Sequence, residues 1–174
     1  MRLFHSRDAP PADVLAQLPR DERVVSWADT SDGQVVLATP SALWWPDPDA
    51  PRPIGWQFID KATWRERVLV VVEAELVDDL VLVDRAPVTA QLEVPRDLPP
   101  TVRKRVEANV VRSQVLPVPG GTARFVTRRI PGVDGLGWWA RLEPGTPDTD
   151  EVRSAIAARI ARMRAEWDAE RALL

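Results

Sequence analysis

Asp32-Gly33-Gln34-Val35-Val36-Leu37-Ala38-Thr39-Pro40-Ser41-Ala42-Leu43-Trp44-Trp45-Pro46 is the stretch on which the reading of this 174-residue chain turns. Asp-Gly is a hairpin signal, because glycine enters the left-handed backbone region without steric penalty. Gln34 to Thr39 then predicts one strand and Ala42 to Trp45 a second, stopped by Pro46-Asp47-Pro48. The prolines between Pro46 and Pro53 make Asp47 to Pro53 a surface loop. Side chains alternate along a strand, so Trp44 and Trp45 point to opposite faces, and the doublet Trp138-Trp139 does the same in its own strand. Either a helix or second layer covers both faces, or an indole stays open and marks a partner surface.

Working outward, Arg23 to Ala28 predicts the strand before the hairpin. The first twenty residues form an arm with a short helix over Pro11 to Leu18, starting near Asp8 or Ala9. Downstream, Ile54 to Ile59 alternates as a strand and Lys61 to Trp64 begins a turn. Arg67 to Glu73 carries the densest apolar run, and Leu80 to Asp84 and Thr89 to Val94 complete seven strands. Trp27, Trp56 and Trp64 fall where strands face inward and are read as core.

A helix then breaks the series. Asp97 can cap it, Pro99 and Pro100 suit its first turn, and Val102, Val106 and Val110 form a stripe that ends near Ser113. Turns at Gly120-Gly121 and Asp134-Gly135 introduce strands near Thr122 to Arg129 and Gly137 to Leu142. Thr149 or Asp150 starts a terminal helix striped by Val152, Ile156, Ile160, Met163 and Trp167. That stripe either docks the helix or serves a homodimer contact.

The strand pair Val35-Val36-Leu37-Ala38-Thr39-Pro40-Ser41-Ala42-Leu43 and the later Ile54-Gly55-Trp56-Gln57-Phe58-Ile59 resemble bacterial members of the pleckstrin-homology-like superfold. The resemblance spans roughly residues 23–113. It implies an α+β fold: a seven-stranded antiparallel sandwich or open barrel capped by a helix, here extended by a β-hairpin and a long C-terminal helix. The expected organisation is an arm over 1–20, the pleckstrin-homology-like domain over 21–113, and a strand-and-helix extension over 114–174. The resemblance further implies a non-catalytic binding or scaffold protein engaging a protein partner. Lipid-binding members use basic residues between the first two strands; here that loop is Asp29-Thr30-Ser31-Asp32, so a phosphoinositide membrane is not the expected ligand.

Composition narrows the chemistry. With 45% hydrophobic and 28% charged residues the chain is that of an ordinary globular protein. No cysteine is present, which removes disulfides, thiol catalysis and thiolate metal sites. His5 is the sole histidine, so histidine acid-base chemistry and histidine metal clusters are excluded; no cofactor or metal is expected. Met1 to Ala9 is polar, and no window nears the roughly 18 apolar residues of a membrane span, so a cytoplasmic protein is expected. The acids Asp78-Asp79 and Glu73-x-Glu75 read as a solvated turn rather than a catalytic pair. Gly120-Gly121 and Gly135-Leu136-Gly137 lack the lysine and helix of a phosphate loop.

Charge is uneven. Residues 96–129 hold 8 basic and 2 acidic residues, against 9 and 16 in residues 1–95 and 6 and 8 in residues 130–174. Arg105 and Arg112, seven apart on one helical face, with Arg124, Arg128 and Arg129 on the next strand, could form a surface for phosphate or nucleic acid. With Trp138 or Trp139 beside them they could also stack a base. The competing reading is that these arginines pair with nearby acids or lie solvated. The candidate binding residues are therefore Trp44, Trp45, Trp138, Trp139, Arg105, Arg112, Arg124, Arg128 and Arg129. The protein-partner reading rests on the tryptophans, and the alternative, nucleic-acid or phosphate reading on the arginines.

Overall fold

The computed structural model describes residues 9–173. His5, and Asp8 as a helix start, lie outside the described residues. The described residues form an α+β fold, with eleven strands in a mostly antiparallel sheet and three helices. In chain order these are α1 (Ala12–Leu15), β1 (Ser26–Thr30), β2 (Val35–Ala38), β3 (Ala42–Trp45), β4 (Arg52–Gly55), β5 (Ile59–Arg65), β6 (Val68–Val77), β7 (Val81–Asp84), β8 (Val88–Val94), α2 (Leu98–Asn109), β9 (Val110–Val118), β10 (Gly121–Arg129), β11 (Leu136–Leu142) and α3 (Asp150–Arg171).

Four sequence readings change. Where seven strands were expected before the middle helix there are eight, because Ile54 to Ile59 is divided. β4 ends at Gly55, a single 3-10 turn occupies Trp56–Phe58, and Lys61 to Trp64, read as a turn, lies in β5. Pro53, assigned to the loop, sits in β4, which among the described residues pairs with β3 alone. An edge strand tolerates a proline because its outward side needs no donor. The middle helix stops at Asn109 rather than near Ser113: the chain passes directly into β9, and residues 110–113 pair with β10. The fourfold valine spacing continues by coincidence into a segment whose β-branched Val110-Val111 pair favours extended backbone.

The chain divides into two compact units, neither continuous in sequence: residues 1–73 with 86–108, and residues 74–85 with 109–174. Residues 74–85, which sit inside the sequence-drawn segment 21–113, thus group with the C-terminal strands and helix.

In the first unit the strands run β4-β3-β2-β1-β8-β6-β5, and α2 follows β8. All four residues of β2 and of β3 are buried, as strands covered on both faces require. Ala28, Val36, Ala38, Leu43 and Trp45 face a core with Trp56, Ile59, Leu69, Val71, Leu98 and Val102. Their alternates Trp27, Val35, Leu37, Ala42 and Trp44 pack against Val14, Leu18 and Val24 from the N-terminal segment. Full burial of each large side chain contributes about 1.5–3 kcal/mol. Gly33 takes φ +83 in the Asp-Gly hairpin, where Thr30 N–H donates to the Gln34 carbonyl at 3.0 Å.

In the second unit β7, β11, β10 and β9 lie side by side; β7 pairs in parallel with β11 through Val81 and Ala140. Thr149 caps α3, its hydroxyl accepting from Val152 N–H at 3.3 Å. The stripe Val152, Ile156, Ile160 and Met163 is buried against Phe125, Ala123, Ala140 and Trp138, and Trp167 meets Trp138 edge to face at 6.1 Å. The helix's apolar face is thereby used inside its own unit.

Candidate functional site

Both tryptophan doublets do what strand alternation demands, with each indole covered. Trp45 belongs to the main core of the first unit and Trp44 to its second layer, where Trp44 Nε1–H reaches Thr39 Oγ1 at 3.3 Å. Trp138 lies under α3. Trp139 is buried with its ring over Gly137, so close that a methyl group on that glycine would stand 2.0 Å from Cη2. All four are 7–8% exposed, which leaves little indole surface for a partner.

The five arginines do not form one face. Arg105 is half-buried on α2, and Arg112, expected on the same helix, is in β9 instead. Arg112 pairs across from Thr127 and stands 5.8 Å from the Trp167 ring, on the α3 side of the sheet. Arg124 and Arg128 alternate to the opposite side. Arg124 is bound to Glu143 at 3.0 Å, Arg128 is buried at 4% exposure, and Arg129 is exposed at the strand end, its carbonyl accepting from Asn109 Nδ2 at 2.6 Å. The acidic turn is structural. Asp78 and Asp79 take φ +56 and +65 between β6 and β7, and Asp78 binds Val81 N–H and the Arg153 guanidinium. Asp29, expected in a loop, is near the end of β1 and pairs with Arg96 at 3.1 Å. Among the described residues no group of acids or histidines is arranged to hold a metal ion, and no helix is long and apolar enough to cross a membrane.

The feature the sequence reading missed is a groove of about 700 Å³ in the first unit, between β5 and α2. Its floor is apolar: Ala62 and Trp64 from β5, Leu69 from β6, and Val102 and Val106 from α2. Trp64, read as core, is 39% exposed there. It pairs across from Leu69, whose side chain is in the core, so Trp64 faces the same way but stands at the open end of the strand. Pro95, Pro99 and Pro100 line the end at which the helix begins.

Beside the groove runs a strand edge. Among the described residues β5 pairs with β6 alone. The two strands are joined by Glu66 and Arg67, at φ +50 and +69, a two-residue turn of the kind that closes a twisted hairpin. Such a turn makes Arg65 and Val68 a mutually hydrogen-bonded pair, after which bonded and non-bonded pairs alternate. The backbone N–H and C=O of Trp64 and Ala62 therefore point away from β6. The charges around the groove are balanced. Arg103 binds Glu107 at 2.8 Å, which raises the guanidinium's pKa through that hydrogen bond first and the nearby charge second. Arg96 is held over the Trp27 ring at 3.5 Å. Asp60 and Lys61 complete the rim.

No protein-family model, curated protein or solved structure matches the chain.

Proposed function

We propose that this chain is a non-catalytic protein-binding module with a pleckstrin-homology-like core, and that an extended segment of a partner protein lies in the groove between β5 and α2. The observation that carries the reading is the outward backbone of Ala62 and Trp64 beside an apolar floor. An added strand would gain main-chain hydrogen bonds from β5 and seat alternate apolar side chains on Trp64, Val102 and Val106. The balanced rim favours an apolar segment over a strongly charged one. The pleckstrin-homology-like assignment is supported by the first unit's own strand path, β4-β3-β2-β1-β8-β6-β5, with a helix directly after β8. A cytoplasmic setting fits the absence of cysteine. The phosphate-binding alternative has less to rest on, since its arginines are split between sheet faces and two are paired with acids.

The test is selection of random peptides against the full chain, followed by affinities for two variants. Trp64→Ala should weaken selected peptides about thirtyfold, as loss of an aromatic anchor does. Ala62→Pro should abolish binding yet leave the fold intact, because the N–H it removes faces away from β6. Peptides bound equally by both variants, or none selected, would sink the reading.

A further inference from the structure

The second unit has its own groove, of about 500 Å³, between the end of β9 and α3. Leu116, Val118 and Phe125 form an apolar floor, and the small Ala155 and Ala158 of α3 leave the gap above it. Two guanidiniums border it, Arg159 and Arg162, three residues apart on one helical face. Among the described residues no carboxylate pairs with either, in contrast to Arg153 on the same helix, which binds Asp148 and Asp78. Among the described residues, Arg159 Nε is buried without a hydrogen-bond partner. A buried donor left unsatisfied is unfavourable, and a turn of the side chain toward the groove that Arg159 lines would bring it within reach of an anion.

The strand edge here differs from that of β5. Val118 and Gly121 close a two-residue turn, so Pro117, opposite Thr122, is the position whose N–H would face outward, and proline has none. Pro119 follows it. Strand addition is blocked at the very place where the groove lies, which disfavours a peptide backbone and leaves an apolar slot headed by guanidinium.

We propose that this groove binds an aliphatic monocarboxylate, its chain lying on Leu116, Val118 and Phe125 and its carboxylate held by Arg159 and Arg162. The test is isothermal titration of the full chain with sodium decanoate below its micellar concentration. Saturable one-to-one binding is expected, with octanoate about tenfold weaker for its two missing methylenes and decanol weaker than decanoate. Arg162→Gln, on the exposed rim, should weaken decanoate about tenfold. Arg159→Gln should weaken it further, and Ala158→Leu should fill the slot and abolish binding. Absence of saturable binding, or decanoate affinity unchanged in Arg162→Gln and Ala158→Leu, would overturn the proposal. So would a leucine-ended peptide with a free carboxylate that binds more tightly than decanoate.

Discussion

Each unit sets a helix beside an open strand, yet the two arrangements are chemically opposite. In the first, β5 has no proline in its pairing segment, and the groove carries an exposed tryptophan and a rim in which Arg103 is already neutralised. In the second, Pro117 removes an outward donor from β9, the groove's aromatic ring, Phe125, is buried, and among the described residues no acid pairs with the guanidiniums of Arg159 and Arg162. The difference shows that a groove's shape says little by itself. What an edge can accept depends on whether its backbone donors survive and whether its charges are already paired.

The contrast between buried and groove-facing aromatics gives the largest expected effect. Trp56→Ala should cost about 3–5 kcal/mol in urea unfolding, since the ring is fully buried and its Nε1–H donates to the Thr39 carbonyl at 3.0 Å. Trp64→Ala, at 39% exposure, should cost about 1 kcal/mol or less. Equal losses would mean that Trp64 holds the fold and is not a free contact surface.

A second comparison separates steric from backbone roles of glycine. Gly137→Ala should cost about 1–3 kcal/mol, because the new methyl displaces the Trp139 ring. Gly33→Ala, where no atom of the described residues stands within 4 Å of the new methyl, should cost about 1 kcal/mol from its left-handed φ alone. The same unfolding curves decide it, and near-wild-type stability for Gly137→Ala would show that the indole can move freely.

The smallest effect concerns the paired arginine of α3. Arg153 holds the exposed Asp148 carboxyl below its ordinary range, chiefly by hydrogen bonding, and its own pKa is raised in return, by Asp148 first and Asp78 second. A depressed folded-state value stabilises the protein above the unfolded pKa of about 4 and is lost as pH falls through the folded one. The difference in Tm between wild type and Asp148→Asn should therefore shrink between pH 6 and pH 2, and should be small throughout because the pair is wet. A difference that grew on acidification would reverse the assignment.

How far the sequence could be read follows from what each element owes to itself. α3 was fully legible, since its cap and its stripe are local and periodic. So were β2 and β3, bounded by Asp-Gly and by prolines. β5 was not, because Lys61-Ala62-Thr63-Trp64-Arg65 has only one fully buried neighbour, Ile59, within its strand and so offers no alternation of the usual kind. The start of β9 was hidden by valines whose helical spacing ran past Asn109. Neither groove could be read at all: each joins residues some forty positions apart, and only pairing and helix docking bring them together. The tryptophan doublets were legible as two-sided, but whether the second side was covered depended on Val14, Leu18 and α3 packing there.

The interleaving of the two units governs how the chain can be made and cut. Residues 74–85 leave the ribosome before β8 and α2, yet their parallel partner is in β11. During vectorial synthesis the β6–β7 hairpin must therefore wait, with one side unmet, until residues 136–142 emerge, a long-range closure of the kind that slows folding. No single scission of the chain would release either unit whole.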